Sequence, residues 1–167
     1  EQIFFIRTAL STFFNVRLLH TSDWHLGQKF ITGQSRDTEQ VLALEWLLDT
    51  LQREQADMLI VSGDVFDVTN PPVYAERAYY HFLNKVKTTT PCRHVVITGG
   101  NHDAPSKLDA PGDLLRAFNI HVAGAVKEHP ADNILLLKNA DGTAEAIVAA
   151  LPFLRERDVA QGVPGEN

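Results

Sequence analysis

The chain has 167 residues, 44% of them hydrophobic and 22% charged, and a net charge of −6, as expected for one globular domain with a sizeable core. The acidic balance argues against nonspecific nucleic-acid binding by overall charge, because affinity for phosphates comes from Lys and Arg. The single cysteine, Cys92, excludes an intrachain disulfide and is compatible with a reducing cytoplasm, and no apolar run reaches membrane-spanning length.

Residues 1–15 are the first segment in chain order and the least typical of a globular core. Their apolar positions are spaced for one amphipathic helix, without the basic start and small-residue cleavage site of a signal peptide. We interpret the segment as an N-terminal extension packed on a neighbouring surface. A helix that binds a partner is the alternative.

Apolar runs of strand length alternate with amphipathic helices in the next part of the chain. Strands are predicted at 16–21, 56–62 and 94–98, with one helix between each pair. Strand, helix and strand in succession imply right-handed crossovers, so the three strands are expected to lie parallel.

The first helix is expected to begin near Ser35 or Asp37, either of which can cap it, and to end near Gln55. Its apolar stripe consists of Val41, Leu44, Leu48 and Leu51. Trp46 lies off this stripe, and we expect it to pack in the core. The second helix follows Pro72, because proline is tolerated in a first turn. Its apolar face consists of Ala75, Ala78, Tyr79, Phe82, Leu83 and Val86.

Shorter elements are predicted after residue 103. They are a helix at 114–118, a strand at 120–122 and a hairpin with strands at 134–137 and 146–150. The sequence therefore predicts an α/β fold in which a mixed sheet is layered with helices. Parallel strand-helix-strand units come first, and an antiparallel edge formed by the hairpin comes later.

Polar side chains follow each of the first three strands at the point where the strand ends. They are Asp23, His25, Asp64, Asp67, Asn101, His102 and Asp103. Ligands of open α/β sheets bind beyond the carboxyl ends of the strands, so these groups are expected to converge. Any one of these motifs alone is more often a turn or a capped loop. Three clusters separated by about one strand-plus-helix unit each favour a metal site.

Phosphate ester hydrolysis would explain why these residue types are grouped. Two metal ions roughly 3.5–4 Å apart lower the pKa of water and clamp the attacking and leaving oxygens. Carboxylate, amide and imidazole ligands suit Mn²⁺ or Fe and, less selectively, Zn²⁺. Asp64, at the end of the middle strand, is placed to bridge the two ions.

Spacing suggests a role for each remaining residue. Asp23 and His25 are two residues apart, so in an extended loop both would face one ion. Asn101 can offer its amide oxygen to the second ion without adding charge. His102 is placed to contact the phosphate or protonate the leaving group, and Asp67 to hold the His102 imidazole.

Three segments resemble the first three signatures of the calcineurin-like metallophosphoesterases: Asp23-x-His25, Gly63-Asp64-x-x-Asp67 and Gly100-Asn101-His102-Asp103. The residues around these motifs, together with 151–155, are similar to the SbcD-type nuclease subunits of that superfamily. Protein phosphatases of the superfamily usually carry Asp-Arg-Gly after the second motif, whereas this chain has Asp67-Val68-Thr69. The resemblance covers residues 16–158 and implies a metallophosphoesterase-like fold.

The resemblance also implies a ligand set. One ion would be held by Asp23, His25 and Asp64. The second would be held by Asp64 and Asn101.

By the same resemblance, His102 would be the catalytic histidine and would pair with Asp67. The implied activity is a Mn²⁺-dependent nuclease, with Mg²⁺, Fe or Zn²⁺ as alternatives, that acts as exonuclease on double-stranded DNA ends and endonuclease on single strands and hairpins. The implied partners are DNA, an SbcC-type ATPase subunit and a second copy in a homodimer, with a cytoplasmic role in DNA repair and recombination.

One departure from the family pattern bears on activity. The family completes its site with histidines in a Gly-His pair and a Gly-His-x-His segment, and neither occurs in this chain. We therefore expect 16–158 to be the front portion of a nuclease domain and 159–167 a polar tail or truncation point. This segment alone is expected to bind metal weakly and to be nearly inactive.

Two other functions stay open on the sequence. One is a calcineurin-like phosphoesterase that acts on nucleotides or phosphoproteins, and the other is a noncatalytic scaffold. Among the basic residues, we expect Lys29, Arg36 and Lys107 to be the phosphate contacts, because they lie in loops at the ligand end.

Overall fold

A computed structural model describes residues 4–6 and 16–159 of the chain. Its main sheet contains four parallel strands in sequence order, β2 (Leu18–Thr21), β3 (Met58–Ser62), β4 (His94–Thr98) and β5 (Ile120–Ala123). A short strand, β1 (Phe4–Ile6), pairs antiparallel with β2 at one edge. The three predicted strands are therefore confirmed as neighbours with their carboxyl ends at one edge.

Helices connect the parallel strands. Helix α1 (Asp37–Arg53) joins β2 to β3, and α2 (Val73–Thr89) joins β3 to β4. Two short helices, α3 (Pro105–Asp109) and α4 (Gly112–Arg116), lie between β4 and β5. These connections confirm the predicted parallel strand-helix-strand units. Among the described helices, none is both long enough and apolar enough to cross a bilayer.

The predicted hairpin is present, but it does not form an edge of the main sheet. After a 3-10 helix (Pro130–Asn133), strands β6 (Ile134–Lys138) and β7 (Ala144–Ala149) pair antiparallel as a separate two-stranded sheet, and α5 (Glu156–Val159) follows. The antiparallel edge strand of the main sheet is β1 instead. The hairpin packs its apolar side chains against one face of the main sheet, which a strand at the edge could not do.

Alternating side chains of the parallel strands divide the core into two clusters. Leu19, Leu59 and Ile97 point to the face that the helices cover, where they join buried residues of α1 to α4. Met58 and Val96 point to the opposite face and contact the hairpin, in a second cluster with Ala123, Leu137 and Ala150. Period-two alternation of strand side chains accounts for this division.

The apolar stripe of α1 includes Leu47 and excludes Val41, unlike the predicted stripe, and the predicted Leu48 is partly buried against the core. The buried apolar residues are Leu44, Leu47 and Leu51, while Val41 is exposed. Trp46 is 46% exposed, so its predicted place in the core is wrong. The helix turns Leu47 toward the sheet, and Trp46 then lies at the edge of the contact.

The predicted start of α1 near Asp37 is confirmed, whereas the helix predicted over residues 4–6 is wrong. Arg36 occupies the N-cap of α1 and makes no side-chain capping bond. The two predicted capping residues do accept hydrogen bonds from first-turn amides: the Asp37 amide donates to the Ser35 hydroxyl at 3.2 Å, and the Thr38 amide donates to the Asp37 carboxylate at 3.0 Å. Residues Phe4–Ile6 form a strand, because they pair with β2, rather than part of a helix. The rest of the predicted helix in 1–15 lies outside the described residues.

Glu145 on β7 attaches the hairpin to the amino end of β4. Its carboxylate accepts hydrogen bonds from the Arg93 guanidinium and lies 2.8 Å from His94 Nε2. Burial raises the pKa of Glu145, but the hydrogen bonds from Arg93 and His94 outweigh it and hold the pKa below its usual range. The carboxylate is therefore more acidic in the folded chain than in the unfolded chain.

Replacement of Glu145 by glutamine is expected to lower the free energy of unfolding by about 1–2 kcal/mol at neutral pH, because it removes the negative charge that strengthens three hydrogen bonds, two with Arg93 and one with His94. The stabilisation is full above the unfolded pKa of a glutamate and disappears as pH falls through the lower folded pKa. Urea unfolding of both proteins between pH 3 and 7 measures the difference. Glu128→Gln, at an exposed loop position, is the control, and a Glu145→Gln difference that persists at the acid end would contradict the linkage.

Burial also explains the protonation state of the Cys92 thiol, which lies just before β4. It raises the pKa of the thiol to about 11, so Cys92 is protonated near neutral pH. Cys92 packs in the core as a small apolar side chain and does not serve as a nucleophile.

Candidate metal centre

The loops that follow β2 and β3 are joined by backbone hydrogen bonds. The Asp23 amide donates to the Gly63 carbonyl at 3.1 Å, and the His25 amide donates to the Asp64 carbonyl at 2.9 Å. Each of the first two motifs therefore fixes the position of the other, and both extend the parallel pairing of their strands beyond the carboxyl edge.

Three of the predicted ligands have left-handed backbone conformations, with φ of 57° at Asp23, 45° at His25 and 50° at Asp64. Such conformations cost of order 1–3 kcal/mol each in residues other than glycine and cluster at functional sites. The expectation of an extended loop at Asp23 and His25 is wrong for this reason. The strained turn nevertheless brings the two side chains toward each other.

The structure brings Asp23, His25 and Asp64 together. One ligand atom from each side chain lies within 4.8 Å of the other two, and His25 Nε2 is 4.0 Å from Asp23 Oδ1. Asp64 is 9% exposed, whereas the Asp23 side chain is 59% exposed. Two carboxylates and an imidazole at these separations could hold a divalent transition metal.

Asp67 contacts two histidines through different groups. Its carboxylate Oδ1 lies 3.3 Å from His25 Nδ1, while its backbone carbonyl lies 2.8 Å from His102 Nδ1. The predicted Asp67–His102 contact is thus made by the main chain. Side-chain atoms of His25, Asp67 and His102 also lie within 4.8 Å of one another, as a second group that could hold an ion.

His102 is exposed and lies beside His25, one of the three clustered residues. Its ring meets that of His25 edge to face, with centroids 4.9 Å apart, and its amide donates to Asp64 Oδ1 at 2.9 Å. The hydrogen bond with the Asp67 carbonyl raises the pKa of His102; burial opposes this effect, and the neighbouring carboxylates of Asp64, Asp67 and Asp103 add to it. A histidine held this way favours the protonated form that can donate to a phosphate oxygen.

Asn101 is exposed and lines a cavity of about 540 Å³ together with Asp64. The cavity lies between the carboxyl edge of the main sheet and the segment after β7, where the Phe153 amide donates to the Gly99 carbonyl at 2.8 Å. Asn101 therefore shares a cavity with the predicted bridging carboxylate.

The donor set fits the ions that the chemistry requires. His25 Nδ1 is buried and makes no hydrogen bond among the described residues, although it lies within ion-pair distance of Asp67. Aligned carboxylates around an imidazole are the surroundings in which proteins hold Mn²⁺, Fe or Zn²⁺.

Asp103 has a structural role that the sequence analysis did not assign. It is completely buried, and its carboxylate accepts hydrogen bonds from the amides of Val65 (3.1 Å), Phe66 (2.9 Å) and Gly100 (2.9 Å). Asp103 thus joins the loop that follows β3 to the loop that follows β4. In the sequence, only the position of Asp103 directly after Asn101 and His102 could have indicated this role.

Two glycines allow these loops to approach each other closely. A Cβ atom on Gly100 would overlap the carboxylate and amide nitrogen of Asp64, and one on Gly63 would lie 3.0 Å from Gly100 Cα. Gly63 also has a φ of 77°, which disfavours other residues. The second and third motifs therefore require glycine where they touch.

The three cations predicted to contact phosphate have different surroundings. Arg36 pairs with Glu39 at 2.9 Å and lines a polar cavity of about 400 Å³ with Asp23 and His25. Lys107 forms a 2.9 Å ion pair with Glu76, and Lys29 is exposed. Their contact with phosphate remains a prediction.

Residues 16–150 match the calcineurin-like phosphoesterase family, and the chain belongs to it. The chain is 41% identical over 152 residues to the SbcD subunit of nuclease SbcCD from Escherichia coli (strain K12), covering 91% of this chain and 36% of the relative. It is 40% identical over 149 residues to the protein of the same name in Rhodobacter capsulatus, covering 86% of this chain and 36% of that protein. The corresponding Bacillus subtilis protein is 39% identical over 115 residues, which cover 69% of this chain and 29% of that protein. The chain thus spans about a third of the length of these curated relatives.

Proposed function

We propose that this chain supplies part of the catalytic centre of a nuclease that hydrolyses DNA phosphodiester bonds with two divalent metal ions, most simply Mn²⁺. The observation that carries the proposal is the convergence of Asp23, His25 and Asp64 on one point at the carboxyl edge of the sheet. Nuclease relatives at about 40% identity support DNA as the substrate.

The roles of the residues follow from their positions. Divalent ions, when bound, lower the pKa of water and offset the negative charge of the phosphodiester. Asp23, His25 and Asp64 would hold the first ion, and Asp64 and Asn101 would hold the second. His102 contacts the phosphate or protonates the leaving oxygen, and Asp67 orients it through its carbonyl.

The wider activity is proposed from the relatives. A protein named as one part of the SbcCD nuclease works with a second kind of subunit, so an SbcC-type ATPase is the expected partner. We propose exonuclease activity on double-stranded ends, endonuclease activity on single strands and hairpins, and a homodimer in the complete complex.

The donor set of this chain is smaller than the one that the family resemblance implies, since neither Gly-His nor Gly-His-x-His occurs in its sequence. We therefore expect weak Mn²⁺ binding and little cleavage by the 167-residue chain. Two tight Mn²⁺ sites, or robust cleavage of duplex ends, would show that these residues suffice.

Replacement of Asp23 by asparagine tests the metal assignment. The exposed carboxylate contributes charge to the ion without supporting the core, so the Mn²⁺ affinity is expected to fall by about tenfold or more while stability changes little. Isothermal titration with Mn²⁺ measures the affinity, and urea unfolding measures the stability. Asp49→Asn, at an exposed position of α1, is the matched control. Equal affinities in the wild-type chain and Asp23→Asn would overturn the assignment.

A further inference from the structure

Gln40, in the first turn of α1, makes two hydrogen bonds to the loop that carries His25. Its Nε2 donates to the His25 carbonyl at 2.6 Å, and its Oε1 accepts from the Gly27 amide at 3.0 Å. One side-chain amide thus contacts the backbone on both sides of Leu26. Neither contact is local, because Gln40 follows these residues by 13 to 15 positions.

These bonds act on a backbone that would otherwise relax. His25 has a φ of 45°, and its amide is already fixed to the Asp64 carbonyl. The His25 carbonyl accepts a second bond from the Gln28 amide at 3.0 Å, so Gln40 completes its two acceptor positions. Gly27 is buried, and Gln40 is the acceptor for its amide among the residues that the structure describes. Without Gln40, a buried donor would lack a partner next to a strained ligand.

Helix α1 gives Gln40 a rigid support. Leu44 and Leu47, one and two turns further along the same face, are buried against the sheet. Gln40 also separates two cavities, because it lines both the polar cavity of Asp23 and His25 and an apolar cavity of about 350 Å³ beside Trp24. The two hydrogen bonds to the loop therefore hold the Gln40 side chain at the boundary between these cavities.

We infer that Gln40 is a positioning residue, which fixes the backbone of His25 so that its imidazole faces Asp23 and Asp64. The inference rests on the proposed function, because it concerns the same metal centre. It assigns to the first helix a direct part in setting the affinity of that centre. Such outer contacts commonly change metal affinity by about 10–100-fold when they are removed.

Two substitutions and one control test this role. Gln40→Met keeps the shape of the side chain but removes both hydrogen bonds. Gln40→Glu keeps an acceptor for the Gly27 amide but places a carboxylate oxygen against the His25 carbonyl. Gln52→Met makes the same replacement at an exposed position of the same helix. Hydrogen exchange of the Gly27 amide is measured without metal, and Mn²⁺ affinity is measured by electron paramagnetic resonance.

Gln40→Met is expected to bind Mn²⁺ about tenfold more weakly and to exchange the Gly27 amide faster, while Gln40→Glu retains protection of that amide and loses affinity. Gln52→Met should match the wild type in both measurements. Wild-type Mn²⁺ affinity in Gln40→Met or Gln40→Glu overturns the inference and leaves the proposed function intact. A wild-type chain that binds no Mn²⁺ overturns the proposed function first. If Gln40→Met does not fold, the affinity of Gln40→Glu decides.

Discussion

Replacement of Gly100 by alanine is expected to abolish Mn²⁺ binding and to lower the free energy of unfolding by about 1–3 kcal/mol, the usual cost of forcing extra volume into a packed site. The added methyl would overlap the carboxylate and amide nitrogen of Asp64, which is itself buried. Any movement of Asp64 away from the methyl would strain or break the hydrogen bonds that its carbonyl and carboxylate accept from the amides of His25 and His102. The overlap must displace Asp64, the predicted bridging ligand, or separate the loops that follow β3 and β4.

Titration with Mn²⁺ and unfolding in urea give the two readouts for Gly100→Ala. Gly112→Ala is the matched control, because a Cβ atom at Gly112 meets nothing within 4 Å and the residue lies in a helix. The control should bind Mn²⁺ as the wild type does and be equally or slightly more stable. Unchanged Mn²⁺ affinity in Gly100→Ala would mean that Asp64 is not a ligand.

The strands and their order are the part of the fold that the sequence predicts best. Strand β4 (His94–Thr98) has the predicted bounds, because a strand buried on both faces is a continuous apolar run between polar breaks. Helix α2 likewise buries the predicted face, with Ala78 only partly buried. In both elements a single periodicity decides which side chains are buried, and no distant contact competes with it.

Other elements depend on contacts that no local pattern contains. The short helices show the same dependence: α3 (Pro105–Asp109) was not predicted, and α4 begins at Gly112 and ends at Arg116 rather than spanning the predicted 114–118. Trp46 lies only one position from Leu47, and a rotation of about 100° per residue separates an exposed side chain from a buried one. The hairpin strands were predictable, but the face on which they pack is fixed by distant residues such as Glu145.

In the candidate site, too, the sequence predicts some features and not others. Strand-end topology is sufficient to predict that Asp23, His25 and Asp64 converge, since parallel neighbours deliver their loops to one edge. The left-handed turns at those residues were not predictable, because they arise from hydrogen bonds to a loop about 40 residues away. Whether Asp67 holds His102 by its carboxylate or its carbonyl depends on a difference of a few ångströms. Gln40 gave no signal at all, because a glutamine in a first turn is ordinarily a solvated residue.

Removal of the Asp103 carboxylate is expected to cost the most stability of any change at this edge of the sheet. Asp103→Ala would leave the amides of Val65, Phe66 and Gly100 without their acceptor in a fully buried position. Each buried donor left unpaired costs roughly 1–3 kcal/mol, and partial relaxation of the loops brings the expected total to about 3–5 kcal/mol. The same loss should release the loop of Asn101 and His102 from that of Asp64, so Mn²⁺ affinity is expected to fall as well.

Asp103→Asn separates the loss of acceptors from the loss of volume. Asparagine keeps one oxygen acceptor but turns an amide donor toward other donors, so its stability should lie between those of the wild type and Asp103→Ala. Asp113→Ala is the matched control: the Asp113 side chain is fully exposed, and within the described part of the chain its ion pair is with Arg116 at 3.5 Å, so little change in stability is expected. Urea unfolding of the four proteins gives the order directly. Equal stability of Asp103→Ala and Asp113→Ala would mean that water or rearranged backbone satisfies the three amides. In that case, strand pairing alone would hold together the loops that follow β3 and β4.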